Sequence, residues 1–139
     1  MPCYVHATKQ SDPKNLGDTI SINLEFSNGS LGTIIYCANG PSNLPKERIE
    51  VFQSSQSWEL DDFHKLIYHN GSGKAIETRS RVQNKGQKEM LKAFFESIEK
   101  NNSMPIPFKE ILAVSASCIA VERAAQNRSV VRIKAGFDV

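Results

Sequence analysis

Three histidines are the residues of this sequence best suited to metal binding or acid–base catalysis, because the imidazole ring titrates near neutral pH. They are His6, His64 and His69. His64 and His69 are five positions apart on segments with the composition of strand or turn, whereas a helical metal pair needs i, i+4 spacing. No second cluster of carboxylates or thiols accompanies them. The sequence therefore favours surface or hydrogen-bonded histidines, and we predict no metal site.

An adjacent acidic pair, Asp61 and Asp62, is a second candidate for acid–base chemistry. Paired carboxylates perform such catalysis when their environments separate their pKa values. Adjacent residues of an extended chain, however, point to opposite faces of a sheet, which keeps the two carboxylates apart. We therefore expect one carboxylate to meet a turn amide or a lysine and the other to meet water. This interpretation makes the pair structural.

Two serines near a cysteine, Ser115 and Ser117 beside Cys118, are the candidate nucleophiles. A catalytic serine or cysteine needs a neighbouring base and usually a strained turn that exposes it. These residues lie instead in a segment with helical periodicity, and no histidine is near them in the sequence. We interpret them as helix-packing residues and assign no catalytic residue to the chain.

Size and charge restrict the class of protein. The chain has 139 residues, of which 40% are hydrophobic and 23% are charged, a composition that predicts one compact domain over residues 1–139. Its 17 basic and 15 acidic residues leave a formal charge of +2. The basic residues are scattered instead of forming the face that a nucleic-acid backbone requires, so we expect no nucleic-acid partner.

The cysteines and the apolar runs help to predict the cellular compartment of the protein. Cys3, Cys37 and Cys118 are odd in number and far apart, which fits neither a disulfide framework nor a zinc site. No apolar run approaches the roughly 20 residues of a membrane-spanning helix. The first residues lack the charged-then-apolar order of a signal peptide. We therefore expect a soluble, cytoplasmic protein that does not bind a membrane.

The first two thirds of the chain have the pattern of strands. Residues 19–26 alternate apolar and polar side chains, and Asn28-Gly29 then favours a tight turn into residues 31–38, which predicts a β-hairpin. The prolines and glycine of residues 39–45 predict a loop. Five further segments are predicted as strands: 3–8, 46–53, 58–60, 66–69 and 75–81.

The last third changes to helical periodicity. Apolar residues at i, i+1, i+4, i+5 and i+8 predict a helix over residues 87–100: Met90, Leu91, Phe94, Phe95 and Ile98. Pro107 suits the first position of a second helix, and Asn127 is a candidate left-handed cap at its end. Residues 130–133 predict a closing strand. The order predicts an α+β fold, a mainly antiparallel, open-faced sheet of about six or seven strands with two helices packed on one face.

Five short segments follow one another along the chain in a characteristic order. They are residues 28–33 (NGSLGT), 45–51 (PKERIEV), 60–63 (LDDF), 85–87 (KGQ) and 105–110 (PIPFKE). Together they resemble the C-terminal domain of the glucose-fructose oxidoreductase / inositol dehydrogenase family, Gfo/Idh/MocA. The resemblance extends from about residue 18 to residue 133. It departs from many relatives at Gln87, where they have histidine, and at Pro107, where they have serine.

The resemblance implies an NAD(P)-dependent oxidoreductase acting on a sugar or polyol derivative. In such enzymes an N-terminal Rossmann domain holds the cofactor through a glycine-rich turn at a helix N-terminus. Gly71-Ser72-Gly73 is instead typical of a hairpin loop, and the family's Glu-Lys-Pro element has no counterpart. We therefore assign no cofactor-binding residue to this chain; NAD or NADP is implied for the full-length parent.

The resemblance also implies a substrate cleft at one end of the sheet. Tyr36, Asn39 and Asn43 are the candidates there, because hydroxyl and amide groups suit a polyhydroxylated ligand. A plain connecting loop is the alternative for this segment.

Two partners follow from the resemblance: the parent's N-terminal Rossmann domain, and a second copy that forms a homodimer through the open sheet face. The chain alone is then inactive. The alternative is a stand-alone, non-catalytic binding or assembly module with the same fold. A complete small enzyme is the weakest hypothesis, because no convergent set of nucleophile, base and orienting group is visible.

Overall fold

The computed structural model describes residues 1–11 and 18–134. It divides into two compact units, residues 1–40 with 97–139, and residues 41–96. The elements in chain order are β1 (Pro2–Lys9), β2 (Thr19–Phe26), β3 (Leu31–Cys37), β4 (Arg48–Gln53), β5 (Gln56–Asp61), β6 (Lys65–His69), β7 (Ile76–Arg79), α1 (Gln87–Glu99), α2 (Phe108–Asn127) and β8 (Val131–Arg132). Strands thus precede helices, and the predicted α+β class is confirmed.

The first unit contains an antiparallel sheet with the order β3-β2-β1-β8, here called sheet 1. The predicted hairpin joins β2 and β3 through Asn28 and Gly29, and Gly29 has a φ of 83°, which glycine adopts without strain. The register places Ile22 opposite Ile34 and Asn23 opposite Thr33. Because residues that are directly opposite share a face, this register puts the apolar side chains on one face and the polar ones on the other.

The core of the first unit lies between sheet 1 and α2. Val5 and Ala7 of β1 pack with Ala120 and Ala124 of α2, and all four are at least 95% buried. Alanine side chains bring the helix backbone close to the strand, and a core packed this densely has no room for larger side chains. The helix ends at Asn127, and its C-cap residue, Arg128, has a left-handed φ of 50°. The left-handed residue therefore follows Asn127, one position later than predicted.

The second unit contains the other antiparallel sheet, sheet 2, with the order β4-β5-β6-β7. A two-residue turn joins β4 to β5, and a three-residue turn, residues 62–64, joins β5 to β6. Positive φ occurs at Ser54 and Ser55 in the first turn and at Asp62 and Phe63 in the second. One face of the sheet is apolar, and on it the rings of Trp58 and Tyr68 stack at 5.2 Å. The opposite face is charged: Arg48, Glu50, Glu59, Asp61, Lys65, His69, Glu77 and Arg79.

The predicted single sheet of six or seven strands does not form. The eight strands of the described residues make two sheets of four, and each sheet consists of consecutive hairpins apart from the pairing of β8 with β1. The physical reason is local. Residues 38–47, which include prolines at 41 and 45, separate β3 from β4 and form no strand. The backbone groups of both strands already find hydrogen-bond partners within their own hairpins.

The prediction that both helices pack on one sheet face is supported for α2, which packs on β1 and β8. The apolar stripe of α1, in contrast, is exposed by between 39% and 58% at each position: Met90, Leu91, Phe94, Phe95 and Ile98. The periodicity predicted the helix correctly. It did not specify the surface that the stripe would meet, because periodicity reports only that one face of a helix is apolar.

A substitution at Gly71, in the connection between β6 and β7, tests the turn geometry of sheet 2. Gly71 has a φ of 77°, and a Cβ atom there would lie 2.7 Å from the Ser55 carbonyl oxygen. Gly71→Ala should therefore lower the free energy of unfolding by about 2 kcal/mol or more in a denaturant titration, from left-handed strain and from the clash. Gly73→Ala is the matched control, because its Cβ would meet nothing within 4 Å. Equal effects of the two substitutions would contradict this account.

Candidate functional site

The three substrate-cleft candidates fall in different units. Tyr36 is 58% exposed near the end of β3, and its position opposite Ile20 puts it on the face of sheet 1 that carries α2. Asn39 follows that strand, and its Nδ2 donates a hydrogen bond to Gln10 Oε1 at 3.3 Å. Asn43 is exposed in a loop of the second unit. The structure thus brings Tyr36 and Asn39 to one end of sheet 1, and the role of all three residues stays a prediction.

Beside α2, the same face of sheet 1 carries an apolar groove of about 710 Å³. Its walls are five side chains of β2 and β3 and a row along α2: Ile20, Ile22, Leu24, Phe26, Ile34, Ala113, Val114, Cys118 and Val121. Glu110 and Glu122 also line the groove and lie about 18 Å apart along the helix axis at 1.5 Å per residue. This surface fits an apolar partner element better than a sugar.

The sequence contains a feature that indicates this groove, although the alternation of residues 19–26 was used only to predict a strand. Residues 19–26 place an apolar side chain at every second position, so the strand is apolar along its whole length. The single helix that packs through alanines covers β1 and β8 and leaves part of β2 and β3 uncovered. Ile34 and Val114 therefore stay 50% and 64% exposed. An apolar row longer than its covering helix indicates a surface that another element fills.

The opposite face of sheet 1, here called the open face, is mostly polar. A shallow cavity of about 160 Å³ lies on it, lined in part by Tyr4, His6 and Glu25. Thr33 Oγ1 donates a hydrogen bond to Asn23 Oδ1 at 3.0 Å across the hairpin. Two apolar side chains interrupt the polar surface and are highly exposed: Leu31 at 80% and Ile35 at 70%.

The two carboxylates of the acidic pair have separate partners, because β5 ends at Asp61 and Asp62 begins the turn with a φ of 46°. Asp61 lies 3.6 Å from Lys65 on the charged face of sheet 2. Asp62 lies on the other side of the β5–β6 turn, where a hydrogen bond with the Glu47 side chain lowers its pKa most. The backbone amides of Glu47 and Lys46 lower that pKa further. Backbone amides therefore meet Asp62, as predicted for one of the two carboxylates. The prediction that the other meets only water is wrong, because Asp61 pairs with Lys65 at a half-exposed position.

The histidines of the second unit have ordinary partners. His64 Nδ1 lies 3.2 Å from the Ser80 carbonyl oxygen, and His69 Nε2 lies 3.4 Å from Glu59 Oε1. Within residues 1–11 and 18–134, no group of three or more histidine, cysteine, aspartate or glutamate side chains is placed to hold a metal ion. The imidazole rings therefore serve as surface hydrogen-bonding groups here.

The serine hydroxyls of α2 are used within the helix. Ser115 Oγ donates to the Ile111 carbonyl oxygen at 3.0 Å, and Ser117 Oγ donates to the Ala113 carbonyl oxygen at 2.6 Å. Such bonds to the preceding turn occupy the hydroxyl and hold it against the helix backbone. No helix in the part of the chain that the structure describes is both long and apolar enough to span a membrane.

Comparison with known proteins shows that this fold occurs in solved oxidoreductase structures. No family model matches the sequence, and no curated protein does. Solved structures do match. An oxidoreductase domain protein from Kribbella flavida matches with a TM-score of 0.75 and 17% identity, over 96% of this chain and 44% of that chain. This chain has the fold of one part of that oxidoreductase.

Two further structures agree. Aldose-aldose oxidoreductase from Caulobacter crescentus, solved with glycerol, has a TM-score of 0.75 and 20% identity over 94% of this chain and 41% of that chain. Levoglucosan dehydrogenase, in complex with NADH and L-sorbose, has a TM-score of 0.76 and 15% identity over 96% of this chain and 45% of that chain. The chain therefore spans less than half the length of these proteins. The predicted resemblance is confirmed at the level of fold.

Proposed function

We propose that this chain is the C-terminal, substrate-cleft and oligomerisation domain of an NAD(P)-dependent oxidoreductase that acts on a sugar or polyol derivative. The observation that carries the proposal is the fold match over nearly the whole chain to oxidoreductases more than twice its length. One of these proteins was solved with NADH and a sugar. The chain alone is inactive, because the other part of the parent supplies the cofactor site.

The partner that we infer is the parent's N-terminal Rossmann domain, and its place on this chain is the apolar groove of sheet 1. Two observations support this occupant. More than half of each neighbouring chain has no counterpart here, so a second body of protein exists in those enzymes. The groove leaves the apolar side chains of Ile34 and Val114 at least half exposed, and burying such side chains stabilises an interface by roughly 25 cal/mol per Å².

The division of labour follows from the residues present. NAD or NADP, held by the Rossmann domain, supplies the hydride chemistry. Tyr36 and Asn39, at one end of sheet 1, offer a hydroxyl and an amide that orient and select the hydroxyl groups of the substrate. Asn43, in the second unit, is a separate candidate for such an amide contact. No proton-transfer residue is assigned to this chain.

The open face of sheet 1 gives the second part of the proposal, a homodimer. Closed dimers use the same patch on both subunits, so the patch must be self-complementary. The open face pairs hydrogen-bonding side chains with two protruding apolar ones, Leu31 and Ile35, which is a composition typical of subunit interfaces that are not wholly apolar.

Calorimetry with NADH and NADPH tests the proposed function. The chain alone should give no saturable heat up to about 1 mM nucleotide, whereas the same chain joined to the Rossmann domain encoded in frame upstream should bind with a Kd in the micromolar range. Tight binding by the chain alone would contradict the proposal. A stop and a genuine start codon immediately upstream would favour the alternative, a stand-alone binding or assembly module.

A further inference from the structure

Three of the five segments that carry the family resemblance meet in the second unit, although they are far apart in sequence. Glu47 precedes β4, Asp62 lies in the β5–β6 turn, and Lys85 precedes α1. The proposed function gives these residues no task. Their contacts nevertheless join the segment before α1 to the end of the β4–β5 ladder, where Arg48 pairs with Asp61.

Lys85 is the cation at the centre of the cluster. Its Nζ forms an ion pair with Glu47 Oε1, and its side chain is only 30% exposed. The same ammonium lies 5.8 Å from the centroid of the Phe63 ring, within the range of a cation–π interaction. Its positive charge also acts on Asp62. Lys85 thus interacts with the Glu47 carboxylate before β4 and with the Asp62 carboxylate and the Phe63 ring of the β5–β6 turn.

Backbone and amide hydrogen bonds tie the same segments together. The Asp62 amide donates to the Glu47 carbonyl oxygen at 2.7 Å, and Gln83 Nε2 donates to the Asp62 carbonyl oxygen at 3.0 Å. The chain then turns at Gly86, whose φ is 75°, and the Met90 amide donates to the Gly86 carbonyl oxygen at 2.8 Å to close the first turn of α1. Residues 83–86 are therefore fixed to the sheet immediately before the helix begins.

Two oxygens of the cluster are inaccessible to solvent. Glu47 Oε2 and Asp62 Oδ1 each lie out of contact with water and accept no conventional hydrogen bond from the described residues. Carboxylate oxygens in such positions depend on the positive charge of Lys85 for compensation. Removing the cation would leave two carboxyl groups close together without a positive partner, which is far more costly than breaking an exposed ion pair.

We propose that Glu47, Asp62 and Lys85 form a charge latch that fixes the start of α1 to the edge of sheet 2. The latch sets the direction in which α1 leaves the sheet. It thereby holds the exposed apolar stripe of the helix, Met90, Leu91, Phe94 and Phe95, in one orientation for whatever surface covers it. The inference is independent of the proposed enzymatic function, because it concerns only the second unit.

The latch depends on pH with a definite sign. The charged groups that face Asp62 are Glu47 and Lys85, and the backbone amides of Glu47 and Lys46 point at the same carboxylate. The hydrogen bond with the Glu47 side chain, the two backbone amides and the positive charge of Lys85 hold the pKa of Asp62 below its ordinary value, although partial burial opposes them. A carboxylate of this kind stabilises the folded state above its unfolded pKa of about 3.9, and the contribution is lost as the pH falls through the lower folded pKa. The latch is therefore closed at neutral pH and opens in acid.

Amide hydrogen exchange of the full chain tests the latch. The Met90 amide reports on the first turn of α1, and Lys85→Met should raise its exchange rate at pH 7 by about tenfold through local opening. Lys85→Arg keeps the charge and should retain most of the protection. In the wild type, protection should fall below about pH 4, whereas Asp62→Asn should show low protection at pH 7 and no such fall.

The neighbouring acid provides the matched control. Asp61→Asn removes a carboxylate from the same turn, but this carboxylate pairs with Lys65 on the charged face and not with Lys85. It should leave Met90 exchange within twofold of the wild type, as expected for an exposed ion pair. Equal exchange in Lys85→Met and Asp61→Asn, or equal loss of protection in Lys85→Met and Lys85→Arg, would overturn the latch. So would a wild-type protection profile that is flat between pH 3 and pH 7.

Discussion

Ile34→Glu should abolish the binding of this chain to the cofactor-binding half of its parent without unfolding the chain. Ile34 lines the apolar groove and is 50% exposed, so a glutamate there stays hydrated while the groove is uncovered. Once an apolar partner element covers the groove, the same carboxylate must leave water. Burying an unpaired charge costs several kcal/mol, and we expect a loss in affinity of at least about 100-fold.

The measurement is a titration of the separately produced Rossmann half with this chain, followed by calorimetry and by dehydrogenase activity. Val114→Glu, on the α2 wall of the same groove, should reproduce the loss. Ile35→Glu is the matched control, because adjacent residues of a strand point to opposite faces and Ile35 lies on the open face. Undiminished binding by Ile34→Glu would show that the groove has a different occupant.

Local features of the sequence predicted local structure well. The alternation of residues 19–26 and the Asn28-Gly29 turn specified the first hairpin, because side-chain period and turn chemistry are both read within a few residues. The stripe from Met90 to Ile98 specified α1 for the same reason. Pro107 precedes the first helical residue, Phe108, and this proline lacks the N–H that a helix start would leave unpaired.

The sequence did not predict which strands pair when they are distant along the chain. No residue pattern in or beside β3 and β4 indicates whether these strands become neighbours. In the structure they belong to different sheets. The same limit applies to the candidate site. Tyr36 and Asn43 were predicted together because the resemblance implies a substrate cleft at one end of a single sheet, yet they belong to different units. The sequence did not predict that Glu47, Asp62 and Lys85 meet, because their contact depends on how the start of β4, the β5–β6 turn and the start of α1 are placed.

Ile35→Glu should dissociate the homodimer that we propose for the open face of sheet 1. Ile35 is 70% exposed and stands on this face between polar neighbours of β2 and β3. In an isologous dimer a substitution enters the interface twice, once from each copy, so two carboxylates are added to one buried patch. We expect the dimer dissociation constant to rise by at least about 100-fold, since each unpaired charge at such a site costs several kcal/mol.

Sedimentation velocity over a range of protein concentrations measures this change. The wild type should convert from monomer to dimer as the concentration increases, and Ile35→Glu should remain monomeric over the same range. Ile34→Glu now serves as the control, because it adds the same charge to the same strand on the groove face and should dimerise like the wild type. The two adjacent substitutions thus separate the two proposed partners, since each face of β3 is assigned to one of them. Dissociation by both, or by neither, would contradict that assignment.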